Sequence, residues 1–106
     1  MEIKNAYYIK PRLREFWLQN SDAEVPLSTW YKQSKKADWK NIAETRKIFS
    51  NADSVGECTV FDIDGNKYRL ITKINYKTKI VYIRFVLTHL EYDKYKLKDD
   101  CRRRKI

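Results

Sequence analysis

Apolar and polar side chains alternate through residues 57–87, which is the period of β-strands and commits this part of the chain to a sheet. The alternation predicts three strands, at residues 57–63, 66–76 and 79–87. Asp64-Gly65 predicts a two-residue hairpin turn, because both of its central positions need positive φ. The connection between the second and third predicted strands can have two or four residues, since either length places the apolar sets of both strands on the same side of the sheet. We take the two-residue turn Lys77-Thr78.

These turns determine which residues face one another across the predicted sheet. The predicted pairs are Val60 with Arg69, Asp62 with Lys67, Arg69 with Val86, and Ile71 with Arg84. Arg69 and Arg84 then become diagonal neighbours about 7–8 Å apart, so that both guanidiniums reach one phosphate. The last strand is predicted to turn one apolar set toward the helices: Val81, Ile83, Phe85 and Leu87. The opposite face is predicted to be open and basic, with Lys67, Arg69, Lys73, Tyr82 and Arg84.

The N-terminal half has mainly helical spacing. The β-branched and aromatic run at residues 6–10 predicts a short strand, and residues 11–19 a helix. A second helix starts at a capping box beginning at Ser21, or nearer Pro26, and a third spans residues 41–49 behind Asn41 and Glu44. The predicted fold class is α+β: a small antiparallel sheet of three C-terminal strands plus an N-terminal strand, with N-terminal helices packed on one face. The 106 residues make one domain, with residues 96–106 as a mobile basic tail.

The charge of the chain indicates its class of partner. There are 23 Lys and Arg against 14 Asp and Glu, a formal net charge of +9. Such an excess favours nucleic acid, which binds cations with release of counterions. An anionic membrane surface and a merely solvated basic surface are the alternatives. Cys58 and Cys101 match no metal-ligand spacing, so neither a structural disulfide nor a zinc site is expected. No apolar run has the length of a membrane span or signal peptide, which predicts a cytoplasmic protein.

One histidine restricts the possible chemistry. His89 has no Ser or Cys partner in a recognisable arrangement, and the two glycines do not form a phosphate-binding loop. RNA cleavage by internal attack needs only a base, an acid and cations at the phosphate, with no metal or cofactor. Arg69 and Arg84 suit the phosphate, and His89 or Tyr92 the proton transfers. An ordinary surface histidine and a structural tyrosine are the alternatives. Further cations that extend an RNA footprint, or simply face solvent, are Lys35, Lys36, Lys40 and Arg46.

Several ordered blocks of this sequence resemble the HigB toxin family. They are VFDI at residues 60–63, GNKYRLI at 65–71, YIRFV at 82–86 and THLEYD at 88–93, preceded by LREFW at 13–17, WYK at 30–32 and KKADWK at 35–40. The resemblance covers about residues 10–95. It departs from the family at Asp62, where Asn is more frequent, and at Leu87, where Gly is more frequent. The added carboxylate of Asp62, predicted to lie opposite Lys67, is expected to weaken the attraction of the site for phosphate. Leu87 is expected to narrow the approach to His89.

The resemblance implies a RelE-like fold and an endoribonuclease that cuts mRNA in the ribosomal A site. It also implies a HigA antitoxin, a helix-turn-helix protein that represses the shared operon, so that the toxin meets operon DNA only through that complex. The motif blocks carry the family's function onto Asn66, Lys67, Arg69, Arg84, His89 and Tyr92. Two alternatives stay open: a ParE-like inhibitor of DNA gyrase on the same fold, and an RNA-binding module without chemistry that stacks bases on Tyr7, Tyr8 and Tyr82.

Overall fold

A computed structural model describes residues 6–36, 38–65, 67–94 and Cys101. The helices are α1 (Ala6–Gln19), α2 (Glu24–Lys36), α3 (Ile42–Ile48) and α4 (His89–Lys94), with a 3-10 turn at Ser21–Ala23. The strands are β1 (Asp53–Val55), β2 (Cys58–Ile63), β3 (Tyr68–Asn75) and β4 (Ile80–Thr88). Within the described residues the four strands form one antiparallel sheet in the order β1-β2-β3-β4. The predicted α+β class and the three C-terminal strands are confirmed.

The predicted N-terminal strand is wrong. Residues 6–10 belong to α1, which continues without a break through Pro11 to Gln19. The fourth strand is instead β1, which pairs with β2 through Asp53 and Val60. A five-residue apolar run does not distinguish helix from strand, and its continuity with the helical stretch after it decides the outcome.

The first face of the sheet packs against the helices. Its centre is an aromatic group in which the ring centroids of Trp30 and Phe61 lie 5.3 Å apart, and those of Phe49 and Phe61 5.2 Å apart. Leu13 from α1, Leu27 from α2 and Leu70 from β3 are fully buried beside it. Burial of these side chains is the main force that holds the helices on the sheet. None of the helices within the described residues has the length and apolar character needed to span a membrane.

The second face of the sheet is not simply open and basic, which corrects the prediction. It carries a second buried cluster of Cys58, Val60, Ile71 and Cys101, with Phe85, Leu87 and Tyr92 among the partly buried residues packed against it. Cys58 and Cys101 form a disulfide, so the expectation of none was also wrong. The backbone N–H of Glu57 donates to the carbonyl of Cys101 at 2.6 Å. The remainder of the predicted tail, residues 96–100 and 102–106, lies outside the described residues.

The predicted β2–β3 register is wrong by two residues, whereas the predicted β3–β4 register is confirmed beside the turn. The β2–β3 pairs are Val60 with Ile71 and Asp62 with Arg69, because the connection has four residues rather than two. Asp64 and Gly65 do have positive φ, at 53° and 64°. The β3–β4 connection also has four residues, and the Asn75 carboxamide oxygen accepts hydrogen bonds from two of its backbone N–H groups. The turn is therefore longer than predicted, but the pairs beside it are those of the predicted register, such as Asn75 with Ile80 and Thr72 with Ile83.

A β-bulge in β4 corrects the predicted position of Arg84. Ile71 pairs with Phe85 and Thr72 with Ile83, so Arg84 is the extra residue between them. One inserted residue reverses the alternation of side chains beyond it. Val86 therefore packs with the core between the sheet and the helices, while Phe85 and Leu87 pack with the cluster around the disulfide. Arg69 pairs with Leu87 instead of Val86, and the predicted pair of Ile71 with Arg84 does not form.

Candidate active site

A cleft of about 540 Å³ opens where the segment between α3 and β1 meets β2, β3 and α4. Basic, acidic, polar, aromatic and small aliphatic residues line it: Arg46, Ser50, Asn51, Ala52, Asp53, Val60, Asp62, Arg69 and Tyr92. Arg69 and Tyr92 were predicted as site residues from the sequence, and they come from segments 23 residues apart. The sheet register and the packing of α4 against β3 and β4 bring them together.

Arg69 is held on both sides within this cleft. Its Nε lies 3.1 Å from Asp62 Oδ1, and Asp62 is the residue directly opposite it on β2. Its guanidinium carbon lies 5.2 Å from the centroid of the Tyr92 ring, a cation–π contact. The Arg69 side chain is 12% exposed and that of Asp62 is 26% exposed. This guanidinium is thus oriented before any ligand binds, while part of it remains accessible from the cleft.

Arg46 contributes a second guanidinium to the cleft. It lies in α3, which begins after the N-cap Asn41, whose Oδ1 accepts the backbone N–H of Glu44 at 3.0 Å. Arg46 Nε donates to the carbonyl of Ala52 at 2.9 Å, and its terminal nitrogen lies 3.7 Å from Asp53 Oδ1. The helix cap and the carbonyl contact together direct Arg46 toward the cleft that Arg69 also lines.

Helix α4 carries Tyr92 and His89 one turn apart, a spacing that makes two side chains neighbours on a helix surface. A capping box starts the helix: Thr88 N–H donates to Glu91 Oε1 at 2.9 Å, and Glu91 N–H donates to Thr88 Oγ1 at 3.2 Å. The backbone N–H of His89 donates to the carbonyl of Lys67 at 3.0 Å. These bonds fix the start of α4 beside the β2–β3 turn and leave His89 exposed.

The charges lining the cleft balance, since two guanidiniums face two carboxylates. Arg69 is paired with Asp62, and Arg46 with Asp53. An anionic ligand of the guanidiniums therefore has to compete with a carboxylate already present, and the more enclosed pair is Arg69 with Asp62. Guanidinium and phosphate form strong, often bidentate hydrogen bonds, so the cleft suits a phosphodiester. No group of three or more His, Cys, Asp or Glu side chains in the described part of the chain is placed to hold a metal ion.

Arg84 does not join Arg69, although the sequence predicted that they share a phosphate. Its guanidinium carbon lies 5.9 Å from the centroid of the Phe85 ring. It lines a separate cleft of about 340 Å³ between β4 and α1, together with Glu15 and Phe16. The bulge is the physical reason, since it moves Arg84 out of the regular alternation of β4.

The predicted RNA-binding lysines are dispersed. Lys67 forms an ion pair with Asp22 on the helical side of the sheet, and Lys73 pairs with Glu57 at 3.2 Å on the second face. Three others are exposed at the end of α2 and just after it, and do not line the 540 Å³ cleft: Lys35, Lys36 and Lys40. Asn66, Tyr7 and Tyr8 were also predicted from the sequence. Asn66 and the side chains of Tyr7 and Tyr8 lie outside the part of the chain that is described.

The sequence prediction missed part of the cleft. Arg46 was included only as one of several scattered cations, and the polar residues Ser50 and Asn51 were not identified. No local pattern distinguishes them, because their proximity to Arg69 depends on how α3 and β1 return to the sheet. Helix α4 was missed as well, although the Thr88–Glu91 spacing was a capping-box pattern visible in the sequence.

Comparison with known proteins is consistent with this architecture. The profile of the HigB toxin family, described as the RelE-like toxic component of a toxin–antitoxin system, matches residues 23–95. A relative named mRNA interferase HigB, from Escherichia coli O6:H1 strain CFT073, is 32% identical over 73 residues. The alignment spans 66% of this chain and 71% of the relative. The matched range contains both arginines of the cleft as well as His89 and Tyr92. This chain therefore belongs to the HigB toxin family, the RelE-like toxic components of toxin–antitoxin systems.

Proposed function

We propose that this toxin is an endoribonuclease that inhibits translation by cutting mRNA. The observation that carries the proposal is the enclosed guanidinium of Arg69, held between Asp62 and the Tyr92 ring in a cleft that Arg46 also lines. A relative that is 32% identical over 73 residues bears the name mRNA interferase. The net charge of +9 supports a polyanionic substrate.

The proposed reaction is internal attack at one phosphodiester. The 2′-oxygen forms a bond to phosphorus, the bond from phosphorus to the 5′-oxygen breaks, and the products are a 2′,3′-cyclic phosphate and a 5′-hydroxyl. The base takes the 2′-hydroxyl proton, and the acid gives a proton to the leaving oxygen. Arg69 and Arg46 stabilise the charge that builds on the phosphate. His89 and Tyr92, one turn apart on α4, supply the proton transfers, in an order that we leave open.

The other basic residues are proposed to hold RNA away from the reacting phosphate. Arg84 lines a different cleft from Arg69, so we assign it a contact with the RNA backbone at the β4 edge, away from the reacting phosphate. Lys67 and Lys73, both more than 45% exposed at the side chain, lie at opposite ends of β3. Asn66 is proposed as an RNA-binding residue only because it belongs to the GNKYRLI block. The lysines around the end of α2 extend the footprint: Lys35, Lys36 and Lys40.

The toxin is proposed to act on the ribosome and to be neutralised by a protein partner. We propose cleavage in the ribosomal A site without a metal ion, since two guanidiniums can supply the positive charge that a metal would otherwise give. We also propose a HigA-type helix-turn-helix antitoxin as the neutralising partner, and contact with operon DNA only through that complex. Membership of the family supports the antitoxin and the ribosomal site, and the two guanidiniums of the cleft support cleavage without a metal ion.

A reconstituted translation system tests the activity directly. Purified toxin is added, and mRNA ends are mapped by primer extension, with and without ribosomes and with and without a chelator that binds transition metals but leaves the Mg²⁺ that ribosomes need. Wild type is compared with Arg69→Gln, His89→Ala and Lys77→Ala, the last removing one positive charge from the exposed β3–β4 turn. We expect cuts at A-site codons in the presence of the transition-metal chelator, a loss of at least about 100-fold in the first two variants, and no loss in the third.

Other outcomes would contradict specific parts of the proposal. Full-rate cleavage by Arg69→Gln would contradict the role of the cleft, and cleavage of free mRNA at the same rate would contradict dependence on the ribosome. Intact mRNA on an occupied ribosome would favour binding without chemistry, for which the 46% exposed Tyr82 is a stacking residue. Intact mRNA with blocked supercoiling would favour the gyrase inhibitor.

A further inference from the structure

We propose that Asp62 acts as a built-in competitor of the RNA phosphate at Arg69, and thereby limits the affinity of this toxin for its substrate. The inference rests on the proposed function, because it concerns the same cleft. It goes beyond that function by assigning a role to an acidic residue that the cleavage chemistry itself does not need.

The geometry of the pair supports competition rather than a loose surface contact. Asp62 and Arg69 face each other directly across β2 and β3, and Nε and Oδ1 are 3.1 Å apart. Their side chains are only 26% and 12% exposed, so solvent screens the attraction incompletely. The carboxylate lies against the Arg69 Nε, one of the donors with which a guanidinium forks onto a phosphate. RNA that engages this edge of Arg69 must displace Asp62.

Asp53, the second acidic residue of the cleft, competes less with a phosphate than Asp62 does. Asp53 lies 3.7 Å from a terminal nitrogen of Arg46, and the two side chains are 69% and 47% exposed. Exposed pairs of this kind are well solvated and contribute little. Arg46 can therefore exchange its carboxylate for a phosphate at small cost, whereas Arg69 cannot. The Asp62–Arg69 pair is the one that limits binding.

Removal of the Asp62 charge tests this idea without removal of the hydrogen-bond acceptor. Asp62→Asn keeps an oxygen for the Arg69 Nε but lets a phosphate displace it more easily. The probe is a single-stranded 2′-O-methyl RNA, which binds but lacks the attacking hydroxyl. We expect about tenfold tighter binding. We also expect a steeper salt dependence, by about 0.7 in the slope of log affinity against log salt, for one additional phosphate contact.

Two controls separate a local effect from a change in total charge. Asp38→Asn makes the same charge change in a pair with Lys79, at 3.3 Å, outside the 540 Å³ cleft. It should change the affinity by less than about twofold. In an Arg69→Gln background, Asp62→Asn should give no increase, because the cation for which it competes is absent. An equal increase in that background would overturn the proposal.

Thermal unfolding verifies that each variant is folded, and Asp62→Ser repeats the test if the Asn variant is not. Equal or weaker RNA binding by a folded, neutral Asp62 variant would refute the competition. The proposed nuclease activity has a separate readout, which is cleavage of ordinary mRNA on ribosomes. If wild type and variant both leave mRNA intact while the variant binds RNA more tightly, the nuclease proposal fails and the competition remains.

Discussion

The Tyr92 side chain has two physically distinct parts at the candidate site. Its ring lies 5.2 Å from the guanidinium carbon of Arg69 and packs against the second buried cluster that contains Cys58. Its hydroxyl is the part that can exchange a proton. A structural role depends on the ring, and a chemical role depends on the hydroxyl. Substitutions that separate ring from hydroxyl therefore distinguish the two roles.

Tyr92→Phe keeps the ring and removes only the hydroxyl. We expect cleavage to fall by about 100-fold while the free energy of unfolding changes by less than about 0.5 kcal/mol. Tyr92→Leu, which also removes the cation–π contact, should lose stability in addition, by about 0.5–1 kcal/mol. Single-turnover cleavage and urea unfolding measure the two effects. Unchanged cleavage by the Phe variant would assign Tyr92 a packing role alone.

At the scale of secondary-structure elements, α3 is a short helix with a specific task. It has seven residues and positions Arg46 at the cleft. A helix of this length is not stable alone and depends on its cap and its packing. Asn41 supplies the cap, and Thr45 is fully buried, with its hydroxyl 3.3 Å from that of Tyr76. The position of Arg46 thus depends on interactions at the two ends and on the buried side of α3.

Asn41→Ala removes the N-cap acceptor and should destabilise the protein by about 1 kcal/mol. Because α3 carries Arg46, RNA binding should also weaken as the helix end frays, and this loss of binding free energy should be smaller than the loss of stability. Lys47→Ala changes an exposed position of the same helix and should shift stability by less than about 0.5 kcal/mol. Urea midpoints measure both variants. An Asn41→Ala protein as stable as wild type would show that packing alone holds α3 in place.

At the scale of the whole molecule, the Cys58–Cys101 disulfide connects the C-terminal segment to the second face of the sheet. It joins positions 43 residues apart and forms part of the cluster against which Tyr92 packs. A crosslink over a loop of this length reduces the conformational entropy of the unfolded chain. The disulfide therefore stabilises the folded chain as a whole, and it belongs to the buried cluster against which Tyr92 packs.

Cys101→Ser should lower the free energy of unfolding by about 2–4 kcal/mol under oxidising conditions. Wild type in a thiol reductant should fall to the stability of the variant, and the variant itself should not respond to reductant. Thermal unfolding with and without reductant provides the comparison. A variant as stable as the oxidised wild type would show that the backbone contact from Glu57 and the packing of the cluster are sufficient.

Local physical patterns determined much of this protein. The Asn41 and Glu44 spacing predicted the start of α3, and the alternation in β3 correctly separated Tyr68, Leu70 and Ile74 from Arg69 and its neighbours. Positive φ at Asp64 and Gly65 followed from their residue types. These features depend on interactions between residues close in sequence, and those interactions are visible in the sequence itself.

The tertiary structure decided the loop lengths, the bulge and the partners across the sheet. Two- and four-residue connections preserve the same faces, so alternation could not choose between them. Both turns have four residues in the structure, which shifts the β2–β3 register by two residues and leaves the β3–β4 register beside its turn as predicted. The bulge at Arg84 moved one predicted arginine away from the cleft, while the return of α3 and β1 brought Arg46 into it. The disulfide between Cys58 and Cys101 had no spacing pattern either. All of these depend on contacts between distant residues, whose free energies are determined by the assembled core rather than by any local segment.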